Sequence, residues 1–107
     1  MSGDILMPGS EHAWSASSGV FYWVVDFLAD AVTDPEAEQH LRDISAHGFG
    51  VLNLGDLTEA QRGELLEVMR GPLLPAVQER FPLPDGDAAQ GFVRDLVGKA
   101  GAWGKGS

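Results

Sequence analysis

The fifteen residues from Gly19 to Thr33, GVFYWVVDFLADAVT, constrain the fold more than any other stretch. Eleven of them are Ala, Val, Leu, Phe, Trp or Tyr, and Asp26 and Asp30 are the only charges. The run VFYWVV has strand-like composition, but the apolar character continues to Val32, about twice the length of an ordinary strand, and the two acids are one helical turn apart. The pattern therefore predicts a helix over about 18–33. Val20, Phe21, Val24, Phe27, Leu28, Ala31 and Val32 form its broad apolar face, and Asp26, Asp30 and Thr33 form a narrow polar stripe. Ser17 or Ser18 is placed to cap it.

Other helices are marked by their ends. Asp34-Pro35-Glu36 supplies an N-cap, a proline at the first helical position and acids in the first turn, starting a second helix that ends at Gly48. Its apolar stripe, Ala37, Leu41 and Ile44, is narrow, and Glu38 and Arg42 are spaced for an exposed ion pair. Thr58-Glu59-Ala60-Gln61 matches a capping box. The helix it opens buries Leu65, Leu66 and Met69 and breaks at Gly71-Pro72. A shorter helix follows from about Pro72 to Arg80, then a turn at Phe81-Pro82-Leu83-Pro84-Asp85-Gly86. Asp87 opens a last helix in which Ala89, Phe92, Val93, Leu96 and Val97 recur at helical spacing. Between the second and third helices, GFGVLNLGDL reads as a buried crossover loop with a short extended stretch at Val51 to Leu54.

The sequence thus predicts an all-α fold: a small bundle of four to five short helices around the central apolar one. Residues 1–17, which mix Gly, Pro and Ser with isolated apolar residues, read as an extended or partly disordered arm in which Trp14 can dock. Residues 18–98 form the helical domain. Residues 99–107 read as a flexible glycine-rich tail with Trp103 as its one anchor.

Charge is the most informative global property. Sixteen acids against seven Lys and Arg give a net charge of -9. The portion through His40 holds seven acids and no Lys or Arg, for -7, and the remainder holds nine acids and seven bases, for -2. Such a field repels nucleic acid and anionic membrane and speeds encounter with a basic protein. The 107 residues include no cysteine, so folding relies on packing without disulfides, as suits a cytoplasmic protein. The opening MSGDILMPGS lacks the basic start and apolar run of a secretory signal, and Val20 to Val25 is too short an apolar run to cross a membrane.

Chemistry-bearing groups are sparse. His40, Asp43 and His47 share one side of the second helix, but the two histidines are seven residues and roughly 10 Å apart along the axis, too far for one metal ion. Ser10, Ser15, Ser17 and Ser18 near His12 lack the rigid frame a serine nucleophile needs. No phosphate-binding glycine motif occurs. The sequence therefore implies no metal and no cofactor. A recognition site is expected where Tyr22, Trp23, Asp26 and Asp30, at i, i+1, i+4 and i+8, form an aromatic and acidic patch for Arg or Lys of another protein. The expected function is that of a non-enzymatic protein-binding module, by class analogy with bacterial immunity or antitoxin-type inhibitors. Two rivals are a homo-oligomeric scaffold that shares the apolar helix between subunits, and a small enzyme or ligand-binding domain with a pocket near Asp26 and Asp30.

Overall fold

The computed structural model describes residues 2–8 and 13–105, and Ser10, Glu11 and His12 lie outside them. Among the described residues the fold comprises five helices and a three-stranded mixed sheet: β1 (Ser2–Leu6), β2 (Trp14–Ser17), α1 (Ser18–Ala31), α2 (Pro35–His47), β3 (Val51–Asn53), α3 (Glu59–Arg70), α4 (Leu73–Arg80) and α5 (Asp87–Lys105). A single 3-10 turn, Leu54–Asp56, joins β3 to α3. The sheet order is β2-β1-β3, with β1 antiparallel to β2 and parallel to β3. The radius of gyration, 12.7 Å, is close to the about 13 Å of a compact chain of this length.

The sheet corrects the all-α expectation. Gly3, Ile5, Trp14, Ala16 and Leu52 are buried along its inner face, whereas Asp4, Leu6, Ser15, Ser17 and Val51 are wholly or partly open on the other. Alternation of this kind is the period of a half-buried strand. It spans only a few residues per strand, too few to stand out from irregular sequence. Gly3 is selected by close approach: a Cβ there would collide with the ring of Phe21 on α1. Trp14 is fully buried, and its indole Nε1 donates to the Phe92 carbonyl of α5 at 2.7 Å.

The C-terminal arm is corrected too. α5 continues through Gly98 and Gly101 because Val93, Leu96, Ala100 and Trp103 form one buried stripe. Gly98, Gly101 and Gly104 in place of alanines cost the helix about 3 kcal/mol, while burying an indole of about 200 Å² returns about 5 kcal/mol. Packing of Trp103 thus outweighs the glycine penalty.

The predicted helices form with two local differences. On α1 the buried residues are Val20, Phe21, Val24, Val25, Leu28 and Ala29. Val25 and Ala29 thus belong to the core, Phe27 is only half-buried and Ala31 is exposed. Ser17 sits at the N-cap, yet its side chain makes no capping bond. Asp34 caps α2 by accepting from the Glu36 and Ala37 amides at 2.9 and 3.0 Å, and Gly48 ends it in the left-handed conformation at φ 64°. The capping box at Thr58 and Gln61 forms in both directions, and the Gln61 amide also donates to Asp34 at 3.1 Å. One carboxylate thereby joins the N-termini of α2 and α3. Among the described residues no helix is long and apolar enough to cross a membrane.

Candidate protein-binding surface

Successive residues on a helix diverge by about 100°, so Tyr22 and Trp23 of α1 cannot share one direction. Tyr22 meets Phe21 edge-on at 5.0 Å, and its hydroxyl lies beside Gly48 at the end of α2. Trp23 turns the other way. It stacks on Phe27 with centroids 5.5 Å apart and interplanar angle 25°, and meets the ring of Phe81, just after α4, edge-on at 5.6 Å. The Arg80 guanidinium lies over the Phe81 ring, 4.9 Å from its centroid, within cation-π range.

The two acids between these borders differ in use. Asp30 is tied to Arg42 of α2 at 2.8 Å, and Arg42 also binds Glu38 at 2.9 Å. Hydrogen bonds that the guanidinium donates to Asp30 first, and then to Glu38, raise the Arg42 pKa above its ordinary value, so it stays charged. All three side chains are substantially exposed, and the pairs are worth little in stability. Asp26 is exposed and has no hydrogen-bond or ion-pair partner among the described residues. Of the four predicted residues, Trp23 packs on Phe27 and Phe81, Asp26 is exposed one turn further along α1, Asp30 is engaged by Arg42 of α2, and Tyr22 borders α2.

The turn after α4 extends the surface beyond what sequence reasoning found. A shallow hollow of about 250 Å³ is lined by Arg80, Phe81, Pro82, Leu83, Asp85 and Gly86, and Leu83 is 58% exposed. Phe81 is shared between this hollow and the Trp23 cluster. Buried Gln90 holds the turn in place by donating to the Phe81 carbonyl at 2.8 Å. The signal in the sequence was a pair of large apolar residues, Phe81 and Leu83, set among prolines, where a turn is ordinarily polar. Neither Asp26 nor Asp30 lines the hollow.

The histidine face of α2 disperses. His47 stacks on Phe49 with centroids 5.4 Å apart, Asp43 accepts from Gln39 at 2.8 Å, and the Nε2 of half-buried His40 is shielded without a hydrogen-bond partner among the described residues. Among the described residues no group of three or more His, Cys, Asp or Glu stands close enough to hold a metal ion.

The basic residues are largely engaged within the fold. Arg42 and Lys99 are in ion pairs, Arg62 and Arg94 donate to the Leu54 carbonyl and the Gln90 side chain, and Arg80 covers Phe81. No protein-family model, no curated protein and no solved structure matches this chain.

Proposed function

We propose that this chain is a small, acidic, non-enzymatic protein-binding module that docks a basic protein surface through Trp23, Asp26 and the adjoining Phe81 and Leu83 rim. The observation that carries the reading is Asp26, exposed and without a partner among the described residues, three positions from an indole held in place by Phe27 and Phe81. A ring already fixed by its neighbours loses little freedom on binding, so its contact area is converted efficiently into affinity. The net charge of -9 adds long-range steering toward a cationic partner. Inhibition of such a partner, in the manner of immunity or antitoxin-type proteins, is the activity this surface serves best. A cytoplasmic setting accords with folding without cysteine.

The test is capture at low salt from the cells that encode the chain, followed by mass spectrometry. A basic protein retained at low salt and released by added salt is the expected result. Enrichment of nothing, or sedimentation of the chain alone as a tight oligomer through α1, would favour the scaffold reading.

A further inference from the structure

The free edge of the sheet is a second surface of different character. Asp4 of β1 donates its amide to the Gly50 carbonyl at 3.0 Å, and the parallel register pairs Asp4 with Val51 and Ile5 with Leu52. Gly50 and Leu52 thus turn their backbone groups toward β1, and Val51 and Asn53 turn theirs away. No fourth strand pairs with this edge among the described residues. At the opposite edge, β2 lies against α5. β3 carries no Lys and no Pro, so the shortness of the strand is what protects this free edge. It has an apolar border: Phe49 is 60% exposed, Val51 39% and Leu6 37%. Gly48 and Gly50, at φ 64° and 71°, set the backbone path that presents Phe49 there.

We infer that the edge of β3 is a docking site for an extended segment of another protein, which adds as a further strand and carries Lys or Arg beside its apolar side chains. Charge selects the occupant. Residues 44–55 hold no charged side chain and are bracketed by Asp43 and Asp56, and Asp4 lies opposite Val51 on the outer sheet face. A second copy of this chain would bring acid against acid at a net charge of -9 each. A basic-flanked segment instead gains backbone hydrogen bonds from Val51 and Asn53, apolar contact with Phe49, Val51 and Leu6, and cation contact with the flanking acids. The inference does not depend on the Trp23 and Asp26 surface.

The experiment titrates the whole chain with a short blocked peptide of alternating Val and Thr with two Lys at each end, followed by amide chemical shifts and hydrogen exchange. Binding is expected to shift and protect the Val51 and Asn53 amides, and to weaken about tenfold or more when Glu replaces the peptide lysines. The double variant Phe49→Lys and Val51→Lys, at exposed positions that leave the core intact, should abolish binding while its thermal midpoint stays near that of the parent. Asp26→Asn should leave binding unchanged. No shift at millimolar peptide, equal binding of the Glu-flanked peptide, or binding retained by the double lysine variant would overturn the assignment. So would concentration-dependent self-association that the same variant removes.

Discussion

The indole of Trp14 and the carbonyl of Phe92, 78 positions apart in sequence, are joined at 2.7 Å, and this bond ties the N-terminal hairpin to the C-terminal helix. Trp14→Phe removes the donor and leaves a small void in a fully buried site. The expected loss is about 2 kcal/mol, or a midpoint about 10 °C lower. Thermal unfolding by circular dichroism measures it, and an unchanged midpoint would mean that the hairpin contributes little to folding.

Gly3 and Gly63 should respond in opposite directions to alanine. At Gly3 the new methyl meets the buried ring of Phe21, an overpacking that costs about 1–3 kcal/mol. At Gly63, exposed within α3, nothing lies within 4 Å, and the gain in helix propensity is about 0.5–1 kcal/mol. Urea midpoints of the two variants, compared with the parent, check the contrast.

Asp34 and Glu64 make stability dependent on acid. Bonds from the Ala37 amide and then the Gln61 side chain lower the Asp34 pKa, while the Thr33 hydroxyl and then the Thr33 amide lower that of Glu64. A carboxyl with a depressed native pKa binds fewer protons folded than unfolded. Its contribution is therefore complete above the ordinary carboxylate range, about pH 4, and is lost as pH falls through the lower native values. Urea midpoints should decline below about pH 4, and less steeply in the double variant Asp34→Asn and Glu64→Gln. Parallel declines in parent and variant would assign the acid sensitivity elsewhere.

His40 offers the reverse opportunity. Its Nε2 is shielded from solvent without a partner among the described residues, a desolvation cost of about 1–3 kcal/mol for a polar group. His40→Leu should raise the thermal midpoint by a few degrees, and a fall would mean that the imidazole has a bond in solution.

These cases separate what the sequence displays from what it leaves to packing. Asp34-Pro35, Gly48 and the Thr58 capping box act within a few residues of themselves, so α2 and α3 are legible without tertiary information. β1 and β2 depend on one another, on β3 and on Phe21, and each shows too little alternation to reveal its partners. The end of α5 depends on Trp103 finding a core, against the local preference of its glycines. At the site, the aromatic and acidic residues of α1 are plain in the sequence. The ion pair that removes Asp30 and the ring of Phe81 that borders Trp23 come from α2 and from the turn after α4, and only the fold brings them together.

The central claim, recognition of a basic protein through Trp23 and Asp26, is tested most directly by calorimetric titration of the captured partner at low and moderate salt with the parent chain, Asp26→Asn and Trp23→Ala. The parent affinity should fall with salt. Asp26→Asn should bind more weakly with a shallower salt dependence, and Trp23→Ala should lose about 2 kcal/mol or more of binding, as an aromatic anchor does, while remaining folded. Equal affinity of all three proteins, or binding indifferent to salt, would contradict the claim.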